Sequence, residues 1–227
     1  FFRQGGRTCF VVRVSDPLPV FAKRADRFAL HTRLLAGIAS SPVNRESWRG
    51  IGHLFGLPEV SYLCLPDLPD LFAVDSQPLP APSVPAGEER FIECAERTDP
   101  PEVQPLHGIS APRCDADGFG EWAGSVLKVG KLLNDRAREV QLLAALPLPV
   151  DAAALAGAPG LFDLPLRDRQ AEIRRRVKEA REAQWASAAL IQTAFVQLSY
   201  PWLRTRDSAT LPGDLEPPDA TLAGMIA

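Results

Sequence analysis

The chain has 227 residues, 46% of them hydrophobic and 23% charged, with 22 prolines and 16 glycines. That balance excludes a wholly disordered chain and leaves room for one large or two small domains. A formal charge of −3 excludes whole-chain attraction to nucleic acid or to an anionic membrane, and no stretch reaches the roughly 20 apolar residues of a spanning helix.

Residues 1–6 have neither the charged start nor the apolar core of a signal peptide. Thr8 to Val14 is a β-branched and aromatic run between Gly5-Gly6 and Ser15-Asp16-Pro17, and predicts a strand buried on both faces. Phe28, Leu30, Leu34, Leu35 and Ile38 predict a helix over 25–38, broken by Ser40-Ser41-Pro42. A second, short helix is expected over 46–55, with Trp48, Ile51 and Phe55 on one side and Gly56 as a left-handed cap. Val60 to Leu65 then reads as a buried strand stopped by Pro66-Asp67.

Prolines 69, 78, 80, 82 and 85 predict irregular surface chain from Leu68 to Gly87, and the Pro-rich character continues to about residue 115, interrupted by a short strand over Arg90–Ala95. Regularity returns with Trp122, Val126, Val129 and Leu133, spaced as one stripe of a helix over 119–138 that Asp115 or Asp117 caps. Val140 to Leu146 is a third buried strand. A long helix opens at Asp168 with the stripe Ile173, Val177, Ala180, Ala188, Ile191 and Phe195, and leads into a strand over 196–200. Alternating strands and helices predict an α/β fold with a mostly parallel sheet and helices on both faces, because parallel neighbours need crossovers.

The residues that carry chemistry form no strong constellation. Cys9, Cys64, Cys94 and Cys114 lie 55, 30 and 20 positions apart, without a C-x-x-C pair, and read as buried thiols in a reducing compartment. His31 and His53 fall on expected helices and His107 in the Pro-rich loop, none just after a strand. There is no G-x-S-x-G elbow, no Walker A pattern and no G-x-G-x-x-G; Gly118-Phe119-Gly120 with Gly124 offers only a weak backbone anion site. Arg167, Arg169, Arg174, Arg175, Arg176, Lys178 and Arg181 form the basic cluster, interleaved with Asp168, Glu172, Glu179 and Glu182, and read as a solvated helix face or a protein contact before a nucleic-acid one.

Three ordered segments resemble the tail sheath proteins of contractile phage tails and related contractile injection systems. Phe1-Phe2-Arg3-Gln4-Gly5-Gly6-Arg7-Thr8-Cys9-Phe10-Val11-Val12-Arg13-Val14 is similar to the family's F-F-x-N-G-G-x-x-(C/A)-Y-V-V-R-V. Gly56-Leu57-Pro58-Glu59-Val60-Ser61-Tyr62-Leu63-Cys64-Leu65-Pro66-Asp67 resembles the strand that ends in Pro-(Asp/Gly). Tyr200-Pro201-Trp202-Leu203, followed by Pro217-Pro218 and Ala223-Gly224, is similar to Y-P-W-(L/I) and P-P-S-G-x-x-A-G. Gln4 replaces the family's Asn, and Asp219-Ala220 its Ser-Gly.

The resemblance implies a single subtilisin-like sheath core across 1–227, a piece of a longer chain with a Pro-rich insertion at 68–115. It implies stacked homo-oligomeric rings around an inner tube protein, partnered by baseplate or cap proteins, assembled in the cytoplasm into a tail or tail-like particle. Membrane insertion and nucleic-acid partners are not expected, nor is any catalytic, cofactor or metal residue. A subtilisin-type site would need Asp, His and Ser in that order with a G-T-S-type turn, which the sequence lacks. The rival readings are an α/β hydrolase using His107, Ser110 and Asp115 or Asp117, and a sheath-related cap or baseplate component.

Overall fold

The described residues, 1–14, 23–76, 108–156, 158 and 160–227 of a computed structural model, hold six α-helices and five short strands, alternating except that β3 and β4, and then α4 and α5, follow one another. β1 (Tyr62–Cys64), β3 (Gln141–Ala145) and β5 (Val196–Ser199) form a parallel sheet in the order β1-β3-β5, with Leu63 opposite Leu142 and Leu143 opposite Gln197. β2 (Arg113–Cys114) and β4 (Leu148–Pro149) form a second parallel pair. The expected α/β class with a mostly parallel sheet is therefore present.

The core forms on α3 (Ala116–Arg136), whose stripe Phe119, Trp122, Val126, Val129 and Leu133 is wholly buried. Side chains of this size each contribute roughly 1.5–3 kcal/mol when removed from water. α3 packs on the central strand β3 and on α5 (Leu166–Leu190). Ala180 sits at the α5 contact, and Gln184 Nε2 donates to the Pro147 carbonyl at 2.9 Å. The helix ends at Leu190, so Ile191 and Phe195 from the expected stripe lie in the connection to β5, and Asp168 falls in the first turn after the N-cap Pro165.

α1 (Arg24–Leu35) continues as a 3-10 turn over Ala36–Ala39, close to the expected span. The helix expected over 46–55 is instead two 3-10 pieces, Arg45–Ser47 and Gly50–Gly56. Gly50, with φ of 48°, is the left-handed residue here rather than Gly56, and a Cβ on it would collide with the Leu34 carbonyl. That kink prevents a continuous α-helix.

Three further expectations are corrected. Residues 8–14 form no strand: β1 pairs only with β3 among the described residues, and the apolar run is exposed, Phe10 at 49% and Val11 at 85%. β propensity with no strand partner among the described residues leaves extended coil. The span 68–115 is not irregular throughout, because α2 (Leu68–Phe72) forms with Pro69 in its first turn, where the missing N–H costs nothing. Leu68, Leu71 and Phe72 of α2 are buried, and β2 closes the same span. Finally, Cys9 is exposed and Cys64 half-buried, and only Cys114 has the expected burial; Cys94 and the strand expected at 90–95 lie outside the described residues.

Two short helices complete the chain. α4 (Ala152–Leu155) follows β4, capped by Asp151 Oδ1, which accepts the Ala154 N–H at 2.9 Å. α6 (Asp219–Ile226) packs against β1, β3 and the N-terminal 3-10 turn Phe2–Gln4.

Candidate functional site

Parts of the three segments that carry the family resemblance meet on α6, while Tyr200–Leu203 packs apart from them. Phe1–Gly6 lies on α6, and the approach is so close that a Cβ on Gly224 would collide with the Phe1 carbonyl oxygen. Cys64, at the end of β1, points its Sγ at the Asp219 carbonyl, 3.9 Å away. Trp202 is buried beside the end of β3, its Nε1 donating to the Leu146 carbonyl at 2.9 Å, and the Tyr200–Pro201 peptide before it is cis.

Asp219 opens α6 and is fully buried. Its Oδ1 accepts the N–H of Ala220 at 3.0 Å while Oδ2 has no partner. Burial pushes this carboxyl up to about 6, only partly offset by the Ala220 N–H. Burial likewise pushes the Cys64 thiol up to about 12, which leaves it an unreactive thiol rather than a nucleophilic thiolate.

The second constellation gathers at the carboxyl ends of β2 and β4, where parallel strands deliver side chains to helix starts. Asp115 Oδ1 accepts the Gly118 N–H at 2.8 Å, and Oδ2 takes Arg24 Nη1 at 2.8 Å. Arg113 reaches Asp151 at 3.1 Å and the Pro149 carbonyl at 2.9 Å. Behind them Arg27, 1% exposed, donates to the Ala73 carbonyl and stands 3.6 Å from Asp75. Burial lowers the Arg27 guanidinium, with Asp75 and Asp70 opposing. Burial also pushes the Asp70 carboxyl up to about 7, with Asp67 adding to the rise and Arg27 opposing it.

This arrangement answers the expectation of an anion site at Gly118-Phe119-Gly120. The helix start already holds a carboxylate of its own, so the backbone N–H that would grip a phosphate is used by Asp115. Of the two caps expected, Asp115 is the one in place; Asp117 is exposed in the first turn. Two clefts flank this helix start. One, of about 550 Å³, is floored by Phe28, Leu71 and Phe72 with Asp117 and Glu121 at its rim. The other, of about 440 Å³, runs past Asp75 and Asp115 to Arg175, Arg176 and Glu179 of α5.

Of the residues considered for hydrolysis, His107 lies outside the described residues, Asp115 is committed to α3 and Arg24, and Ser110 is half-buried in the turn before β2. A serine and a histidine do meet elsewhere: His31 Nε2 lies 2.8 Å from Ser125 Oγ, both buried between α1 and α3. The polarity is opposite to that of a catalytic pair. Ser125 donates its only proton to the Glu121 carbonyl at 2.8 Å, so His31 must donate from Nε2, leaving Nδ1 buried without a partner. A histidine that donates to serine cannot take the proton of that serine. Sequence periodicity places both residues on helices but gives no sign of this contact.

The basic cluster is largely neutralised along one flank of α5. Arg175 holds Glu172 and Glu179 at 2.6 and 2.5 Å, and Arg176 shares Glu172 at 2.8 Å. Hydrogen bonds from Arg175 and then Arg176 hold the Glu172 carboxyl down to about 2. The basic run contains no aromatic residue, but Trp185, four residues beyond Arg181, is 63% exposed. Helical spacing from Arg181 is the signal that finds it.

Among the described residues no group of three or more His, Cys, Asp or Glu side chains is placed to hold a metal ion, and no helix is long and apolar enough to cross a membrane. These features define an α/β protein with a parallel sheet, whose polar clusters are mostly satisfied internally. No protein-family model, curated protein or solved structure matches the chain.

Proposed function

We propose that this chain is the subtilisin-like core of a contractile sheath subunit, a structural, non-enzymatic block that stacks helically around an inner tube and moves as a body when the sheath contracts. The observation that carries the reading is the junction of Phe1–Gly6, the end of β1 and α6. Parts of three sequence segments that share a residue pattern meet on α6, which both Phe1–Gly6 and the end of β1 touch, and the shared glycine at 224 is required there by backbone contact. A sheath block must transmit force without deforming, while its connections to neighbours rearrange. The wholly buried α3 stripe and the internally paired helix starts suit that demand.

Co-expression of the full-length protein with its tube partner, viewed by electron microscopy, tests the reading. Sheathed filaments are expected. Bare tubes, together with labelling of Ser110 by a serine-hydrolase activity probe, would replace it with the hydrolase.

A further inference from the structure

Arg167, Arg174, Lys178, Arg181 and Trp185 follow one another along α5 at steps of seven, four, three and four residues, so they share one flank of the helix. The stripe is about 27 Å long at 1.5 Å per residue. Arg167, Arg174 and Arg181 make no ion pair among the described residues, and Lys178 has only a long contact to Glu182, at 3.7 Å. Arg175, Arg176 and Glu179, which line the cleft beside Asp115, occupy the other flank. The free cations therefore point away from the cleft side of their own molecule.

The cleft of about 550 Å³ between α1, α2 and α3 has the complementary character. Its lining joins Phe28, 54% exposed, and the nearly covered Leu71 and Phe72 to Asp117 and Glu121, one helical turn apart on α3 and without an ion pair among the described residues. The one cation lining it, Arg24, is already bound to Asp115.

We infer that this cleft receives the α5 flank of a second copy of the chain, with Trp185 seated over Phe28, Leu71 and Phe72, and with Arg181 and Arg174 facing Asp117 and Glu121. Tryptophan and arginine are both enriched among the residues that dominate binding energy at protein contacts, and the charges of flank and cleft are opposite in sign. Because flank and cleft are different surfaces, the contact is head-to-tail. Repetition of such a contact generates a ring or an open helical array rather than a two-fold dimer. The inference rests on the sheath reading and names a surface for it.

Two charge-reversed proteins test it: Arg174→Glu with Arg181→Glu, and Asp117→Lys with Glu121→Lys. Concentration-dependent association is followed by sedimentation velocity at low salt, with circular dichroism confirming the fold. Wild type associates, and roughly tenfold more weakly in high salt, since the pairs are at the surface. Each reversed protein alone loses association by roughly tenfold or more, because its flank and cleft then repel. Mixed together they associate again, since every contact in an alternating array is complementary. Trp185→Ser, which alters no charge, weakens association as well.

Reversed proteins that associate as wild type does, or a mixture that stays monomeric, overturn this surface and leave the sheath reading intact. A wild-type chain that stays monomeric and forms no sheath on its tube overturns both.

Discussion

Asp115 ties α1 to α3 through a 2.8 Å ion pair with Arg24, using the oxygen that its helix-capping bond to Gly118 leaves over. One carboxylate thus fixes both the start of the core helix and the position of the helix packed beside it. Asp115→Ala is expected to cost about 1–2 kcal/mol, most of it from the lost cap, since a half-exposed ion pair adds little. Asp115→Asn keeps an acceptor for Gly118 and should lose less than half as much. Urea unfolding of the two variants measures the split.

Asp219 makes stability depend on pH in an unusual direction for a carboxylate. Its folded value, about 6, lies above the ordinary 3.8, so the folded state binds the extra proton. The contribution is full below about pH 4 and is lost as pH rises toward 6 and beyond. Asp219→Asn keeps the acceptor for Ala220 and cannot ionise. It should be more stable than wild type at pH 7 by about 1–3 kcal/mol, and should lose the advantage near pH 4. Denaturation midpoints at the two pH values decide this.

His31 acts in the opposite direction. Burial, with Lys128 nearby, holds its imidazole below the ordinary 6.5. Stability is then full above about 6.5 and declines as pH falls below it, because the unfolded chain takes the proton first. His31→Leu removes that decline while leaving Ser125 bonded to the Glu121 carbonyl. Thermal unfolding between pH 5 and 7 should show a flatter acid limb in the variant.

Gly224→Val should drive Phe1–Gly6 off α6, because the added side chain occupies the place of the Phe1 carbonyl. The expected cost is about 1–3 kcal/mol if the segment stays docked. If it undocks, tryptic cleavage after Arg3 and Arg7 should quicken while unfolding of the α3 core changes little. Limited proteolysis read by mass spectrometry reports the site.

The elements that the sequence made legible are those with a long apolar pattern. The stripe Trp122, Val126, Val129 and Leu133 could belong only to a buried helix, and β3 and β5 emerge where continuous apolar runs meet proline or a turn. Pattern failed where packing rather than periodicity decides. α2 is five residues long, begins with Leu68-Pro69 and owes its helicity to burial of Leu71 and Phe72. The 3-10 geometry at Gly50 follows from its contact with Leu34, which no local propensity records.

The same division holds for the polar clusters. Asp115 was legible as one of two possible caps, with Asp117, from its place before a helix, whereas its second partner, Arg24, lies 91 residues away in sequence. The buried Arg27 and the lone pair of His31 have no sequence signature at all. Residues 8–14 show the converse: a strong strand pattern that pairs with no strand among the described residues.

The strand order β1-β3-β5 also has a kinetic consequence. Tyr62 lies opposite Gln141, and Leu142 opposite Val196, so no strand of this sheet pairs until a long crossover has been made. Pairings of such sequence separation are slow, because chain entropy is lost before any ladder bond repays it. During synthesis β3 emerges with β1 as its one partner among the described strands, and its other edge stays open until β5 leaves the ribosome. Hydrogen-exchange labelling of the nascent chain should find α3 protected first and β5 last, with the apolar edge of β3 as the place where an unfinished chain aggregates.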